Sequence, residues 1–194
     1  DWVHVGGKAT YTVTDGTVHG VGASGGNAFL HSPRAYADFE LTCQVKMVAG
    51  GNSGIQIRSA MDGNRLRGYQ IEIDPSERAW SGGIYDEGRR GWLYSLNGNF
   101  EAQKAFKKNK WNKYRIEAIG DTIKTWINDV PAAYLIDNMT HTGFIGLQVH
   151  GIGNDKKKEG KEVAWRNIKI ITKDMDRYKK SILLDPKLIK ETYY

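Results

Sequence analysis

Phe39-Glu40-Leu41-Thr42-Cys43-Gln44-Val45-Lys46-Met47 alternates apolar and polar residues from end to end. A period of two is that of a β-strand, whose successive side chains leave opposite faces of the sheet. Phe39, Leu41, Cys43, Val45 and Met47 therefore look into a core, and Glu40, Thr42, Gln44 and Lys46 look toward water. Gly50-Gly51-Asn52-Ser53-Gly54 follows as a turn.

Outward from that segment the same alternation recurs over Thr10 to Thr14, Thr17 to Gly20, Gly54 to Ser59, Tyr69 to Asp74, Gly83 to Tyr85, Trp111 to Ile119, Thr122 to Asn128, Gly143 to His150 and Val163 to Ile171. Asp121 and Asn128-Asp129 read as tight turns. No stretch carries a helix of convincing length, and 23 glycines against four prolines supply turns between strands. A chain of 194 residues suits one such domain. The expectation is an all-β fold, a two-sheet antiparallel β-sandwich of the jelly-roll kind over residues 1–172, with a charged C-terminal extension over 173–194.

The net charge of +6 does not point to nucleic acid. Much of the surplus sits in Asp155-Lys156-Lys157-Lys158-Glu159-Gly160-Lys161 and in the tail after Thr172, and no basic stripe is interleaved with aromatics. The single cysteine, Cys43, sits at an inward strand position, so it reads as a buried structural residue with no internal disulfide partner. No apolar run is long enough to span a bilayer. The chain begins at Asp1, as an exported protein without its signal peptide would, and a periplasmic, secreted or cell-surface location is expected. The oligomeric state is not legible.

Counting by twos sorts each strand into faces. Ile55 and Ile57 point one way and Gln56 and Arg58 the other; Tyr69, Ile71 and Ile73 oppose Gln70, Glu72 and Asp74; Ile145, Leu147 and Val149 oppose Gln148 and His150; Trp126 opposes Ile123 and Ile127. Solvated faces carry mainly Thr, Lys, Ser and Glu. Here they carry Gln, Arg, Glu, Asp, His and Trp, residue types that hold sugar hydroxyls and stack on pyranose rings. The row becomes a cleft if these strands are neighbours. The segment from Pro75 to Asn109 is too long for a hairpin and brings Trp80, Tyr85, Arg89, Arg90, Trp92 and Tyr94, suited to the walls of a site.

The blocks Asp38-Phe39-Glu40-Leu41, Gly51-Asn52-Ser53-Gly54-Ile55-Gln56-Ile57-Arg58, Gly68-Tyr69-Gln70-Ile71-Glu72-Ile73-Asp74, Gly82-Gly83-Ile84-Tyr85-Asp86, Trp111-Asn112, Trp126-Ile127-Asn128, Gly146-Leu147-Gln148-Val149-His150-Gly151 and Trp165-Arg166-Asn167-Ile168 together resemble the 3-keto-disaccharide hydrolases. That family is built on the concanavalin-like lectin/glucanase sandwich. In one departure, Gln70 and Glu72 stand exchanged relative to members that carry Glu and then Gln. The resemblance thus implies fold and substrate class without assigning one carboxylate. A weaker echo, Glu72-Ile73-Asp74-Pro75-Ser76-Glu77, matches the Glu-x-Asp-x-x-Glu spacing of laminarinase-like retaining glycosidases. Pro75 should end the strand and throw Glu77 off the row.

The resemblance implies cleavage of 3-keto-glycosides or related oligosaccharides by general acid/base elimination and hydration. Glu72 or His150, with Asp74 beside them, would serve as base and acid, and Arg58 as the cation on the keto oxygen. Asn52, Gln56, Gln70, Gln148 and Arg89 would read hydroxyls, while Trp80, Tyr85, Trp92 and Trp126 would offer ring surfaces. No cofactor is required, although calcium, magnesium or manganese on Glu72, Asp74 or His150 could replace Arg58 as electrophile. The alternatives are a non-catalytic carbohydrate-binding module, a laminarinase-like glycosidase, or a laminin-globular scaffold whose polar row would be scattered.

Overall fold

The computed structural model describes residues 2–47 and 51–189; Gly50 of the expected turn and residues 190–194 of the expected extension lie outside them. The strands are β1 (Val3–Gly6), β2 (Thr10–Thr14), β3 (Thr17–Val21), β4 (Ala28–His31), β5 (Phe39–Met47), β6 (Ser53–Asp62), β7 (Arg65–Ile73), β8 (Ile84–Glu87), β9 (Gly91–Tyr94), β10 (Asn112–Ile119), β11 (Thr122–Ile127), β12 (Val130–Ile136), β13 (Phe144–Val149), β14 (Glu162–Ile171) and β15 (Lys187–Leu188). Among the described residues two short α-helices accompany them, α1 (Phe100–Ala105) and α2 (Met175–Tyr178), with one 3-10 turn at Lys156–Lys158.

They form two packed sheets, ordered β1-β4-β13-β6-β7-β8-β9 and β15-β12-β11-β10-β5-β14-β3-β2. Every pairing is antiparallel except that of β12 with β15. The fold is thus the expected all-β, two-sheet sandwich of the jelly-roll type. The loop expected over Pro75 to Asn109 contains β8, β9 and α1, and β1, β4 and β12 are further strands that the alternation did not reveal.

The core is built by the faces that the period of two selects. Phe39, Leu41, Cys43, Val45 and Met47 of β5 are buried against Ile55, Ile57, Tyr69, Ile71 and Ile73 of β6 and β7. Each large aliphatic or aromatic side chain so buried contributes about 1.5–3 kcal/mol. Burial pushes the Cys43 thiol up to about 12, so it is an inert part of that core. Asn128 and Asp129 both take positive φ, 51° and 65°, as the two-residue turn between β11 and β12 requires.

One expectation from strand parity needs correction. Glu40 does not meet water: it is buried on the outer face of β5, where Arg115 Nη2 donates to it at 2.8 Å. That face is roofed by the C-terminal segment. Arg115 donates to the Tyr178 carbonyl, the Lys180 amide donates to Glu117 at 2.8 Å, and Lys180 lies over the Trp126 ring at 5.8 Å. The segment then runs to the sheet edge, where β15 pairs with β12 and the Ile189 amide bonds the Ile136 carbonyl at 3.0 Å. Among the described residues no helix is long and apolar enough to cross a membrane.

Candidate functional site

Strand order decides which side chains meet. β13, β6, β7, β8 and β9 are consecutive, so the outward positions of five strands form one surface. Across β6, Gln56 faces Gln70 and Gly54 faces Glu72; Tyr85 of β8 stands opposite Gln70. Gly54 also pairs with Gln148 of β13. A Cβ at Gly54 would lie 2.4 Å from Gln70 Cγ and Cδ, so only glycine lets that side chain lie across β6.

The sheet curls, bringing β1 and β4 toward β7. Asn27, just before β4, donates to Glu87 Oε1 at 3.2 Å and accepts the Gly151 amide at 2.7 Å, closing one end of the surface. What remains is a cleft of about 450 Å³ lined by Asn27, Asn52, Gln70, Glu72, Arg78, Tyr85, Glu87, Trp92 and His150. That volume lies in the range of small-ligand sites.

Glu72 lies on its floor, 4% exposed. Asn52 Nδ2 and Arg78 Nη2 donate to its Oε1 at 2.7 and 3.1 Å, and Gln70 Nε2 donates to Oε2 at 3.0 Å. A carboxylate accepts about four hydrogen bonds, so one lone pair on Oε2 stays available. Burial raises its pKa above the ordinary carboxylate value, although the donors Asn52 and Gln70 and the charge of Arg78 oppose the shift. Burial likewise raises Glu87.

Arg78 is gripped from two sides. Its Nε donates to Asp74 Oδ2 at 2.8 Å while its guanidinium lies 4.9 Å from the centroids of both Trp80 and Trp92. Burial opposes the charge on Asp74, but bonds from Ser76 and Arg78 outweigh it and hold the carboxyl below its ordinary range. Trp92 sets its edge against Trp80 and Tyr85, giving a rigid aromatic wall. His150 is exposed, and its Nδ1 donates to the Gly151 carbonyl at 2.7 Å, which leaves Nε2 as the reactive nitrogen.

Six of the expected site residues thus line the cleft: Asn52, Gln70, Glu72, Tyr85, Trp92 and His150. Gln56, Gln148, Asp74 and Trp80 stand behind them as supports. Three are elsewhere. A bulge between Ile57 and Ala60 puts Arg58 at φ 45° and turns its side chain from the polar row toward the opposite sheet, where it binds the Ala37 and Gly120 carbonyls and Asp38. Trp126 is outward as counted, but β11 belongs to the other sheet and Arg115 covers its ring. Arg89 pairs with Asp86 and lies over Tyr69 at the end of the core. Glu77, the third member of the laminarinase-like spacing, is almost fully exposed and pairs with Lys108.

Arg78, Glu87 and Asn27 were not anticipated. Glu87 follows Tyr85 by two and shares its face, a signal legible once β8 is carried two residues further. Arg78 lies in an aperiodic loop and Asn27 precedes a strand too short to recognise. Among the described residues no group of three or more His, Cys, Asp or Glu side chains gathers as metal ligands would, and the Arg78 guanidinium already bonds both Glu72 and Asp74.

The sequence profile of the 3-keto-alpha-glucoside-1,2-lyase-like domain matches residues 1–171. No curated protein matches the chain in sequence. Among solved structures, it is similar to carbohydrate-binding module CBM66 from Bacillus subtilis, with 18% identity over 87% of this chain and 94% of that one and a TM-score of 0.62. It is also similar to a candidate glycosyl hydrolase from Parabacteroides distasonis, with 22% identity over 89% of this chain and 99% of that one and a TM-score of 0.60. At such identities the likeness establishes the fold alone.

Proposed function

Because the chain belongs to the 3-keto-alpha-glucoside-1,2-lyase-like domain family, we propose that its cleft cleaves 3-keto-glycosides by elimination across C1 and C2, with hydration following. One observation carries this reading: a buried carboxyl of raised pKa, Glu72, faces a polar cleft with a guanidinium and an imidazole on its rim. A ligand-binding module needs hydroxyl readers and a ring platform but gains nothing from a destabilised carboxylate.

The ketone at C3 acidifies the C2 proton. Glu72 Oε2 takes that proton, the C2–H electron pair becomes an enolate on the C3 oxygen, and Arg78 stabilises the charge with the donors that Glu72 and Asp74 leave over. The enolate then expels the group at C1, whose oxygen receives the Nε2 proton of His150 in its imidazolium form, leaving the neutral ring with its Nδ1–H on the Gly151 carbonyl. The free aglycone and a 1,2-unsaturated 3-keto sugar result, and adding water across the double bond returns the proton to C2. Raising the Glu72 pKa above the ordinary carboxylate value strengthens it as a base.

Arg78 takes the part expected of Arg58. A divalent cation held by Glu72, Asp74 or His150 would be the other electrophile, and a chelator separates the two. The test is release of the leaving group from two glycosides that differ only at C3, ketone or hydroxyl, with and without chelator. Release from the keto substrate alone supports elimination. Release from both overturns it, and release from neither, with binding retained, leaves carbohydrate recognition as the function. An extracytoplasmic location accords with such substrates and is part of the same proposal.

A further inference from the structure

A second carboxyl, Glu87, lines the cleft and takes no part in the chemistry assigned to Glu72. It enters from β8, the strand beside the one that carries Glu72. Gly68 of β7 faces Glu87 and Ile71 faces Ile84 in continuous register. Glu72 stands four residues beyond Gly68, which at the rise of an extended strand is about 13 Å along the sheet. The two carboxyls therefore occupy opposite ends of one cleft.

The Glu87 end has its own supports. Asn27 is fixed by accepting the Gly151 amide at 2.7 Å and donates to Glu87 Oε1 at 3.2 Å. A carboxylate accepts about four hydrogen bonds, so Glu87 keeps acceptor capacity for a hydroxyl beside the one donor that holds it. Glu87 is half-buried, and a donor brought by a ligand counts for more where water is partly excluded. Tyr85, two residues earlier on the same face, sets its ring against Trp92 and lies between the two ends of the cleft.

The assignment of Glu72 to the C2 proton, Arg78 to the C3 oxygen and His150 to the leaving oxygen leaves a pyranose ring one orientation. C1 and C3 flank C2. His150 follows β13 on one side of β7, and Trp92, on which Arg78 rests, belongs to β9 on the other. C5, which bears the hydroxymethyl group, lies across the ring from C2 and so points to the end away from Glu72. Resting on that reading, we propose that Glu87, positioned by Asn27, accepts a hydrogen bond from the C6 hydroxyl and makes the site selective for 3-keto-hexosides that carry it. A glycone without this hydroxyl leaves the carboxylate short of a donor, and one oxidised to a C6 carboxylate sets a like charge against it.

The experiment compares phenyl 3-keto-glucoside with its 6-deoxy analogue and with the corresponding 3-keto-glucuronide, using the wild-type protein, Glu87→Gln and Glu87→Ala. The leaving group is the same in all three substrates, so ratios of kcat/KM report the glycone alone. The wild type should favour the glucoside over the 6-deoxy compound by roughly 10- to 100-fold, the range of a hydrogen bond to a charged group. In Glu87→Ala that ratio should collapse toward unity. In Glu87→Gln the glucuronide should gain on the glucoside by roughly tenfold or more, because the like charge is gone. Damage to the fold alone gives no such gain. Equal handling of the glucoside and the 6-deoxy compound by the wild type, a preference that survives in Glu87→Ala, or a glucuronide ratio unmoved in Glu87→Gln would overturn the role of Glu87 and leave the elimination reading standing. If the wild type turns over none of the three, the elimination reading fails, and calorimetry with methyl glucoside and methyl 6-deoxyglucoside decides the subsite. A preference for the glucoside that Glu87→Ala removes supports it; equal affinities, or no binding of either, overturn it.

Discussion

Gln70 Nε2 donates to Glu72 Oε2 at 3.0 Å because the Gln70 oxygen is already taken by two other amides, Gln56 at 2.9 Å and Gln148 at 2.8 Å. Those two donors fix which end of the Gln70 amide is oxygen, and its nitrogen then has to face the carboxylate. Gln70 therefore both aims Glu72 and lowers its pKa against the effect of burial.

Replacing Gln70 by Met removes that donor and should raise the Glu72 pKa further. Since activity needs the ionised carboxyl, it falls as pH drops through this pKa, and in the variant the fall begins at a higher pH. The pH profile of kcat/KM for a 3-keto-glycoside measures this, and carbon NMR of the Glu72 carboxyl measures it without turnover. An unmoved acid limb would show that the 3.0 Å contact is not felt by the base.

Glu72→Gln keeps the shape of the floor and loses the base. Turnover should drop by about 10²- to 10⁴-fold, with affinity for an unreactive glycoside within a few-fold of wild type. Equal losses in affinity and turnover would place Glu72 among the binding groups only.

Trp92→Ala removes the outer plate of the aromatic wall. Loss of ring stacking should raise KM by roughly fivefold, in line with about 1 kcal/mol for an aromatic contact, with a smaller change in kcat. The melting temperature needs to be read alongside, because Trp80, Tyr85 and Arg78 all lean on the same ring.

Arg58→Met tests the bulge. Its side chain is fully buried and bonds two carbonyls and Asp38, so its loss should cost about 3 kcal/mol. A melting temperature lower by roughly 6–10 °C follows for a domain of this size. Kinetic constants at a temperature where the variant is folded should match wild type, which a guanidinium acting on the substrate would not allow.

Most of the fold was legible because strands leave a period of two in the sequence: β5, β6, β7, β13 and β14 were each marked by it. The row Gln70, Glu72, Asp74 followed from the same count. Three kinds of information were missing. Strand order is not encoded locally, so Trp126 had the right parity on the wrong sheet. A bulge reverses parity, and nothing marks Arg58 as the residue that takes positive φ, since no glycine stands there. Arg78 reaches Glu72 from a loop whose path is set by Asp74 accepting the Ser76 and Trp80 amides, contacts that have no periodic signature.

The C-terminal segment over the outer sheet bears on where this domain can be cut. The family profile ends at residue 171, yet residues 174–189 cover Trp126 and occupy the edge of β12. A fragment stopped at residue 172 would bare a tryptophan and present an unpaired strand edge, a template on which another copy can add. Light scattering should find that fragment self-associating at concentrations where the 194-residue chain does not. The tail, which looked like an appendage, would then be the seal that keeps one copy of the sandwich from growing onto the next.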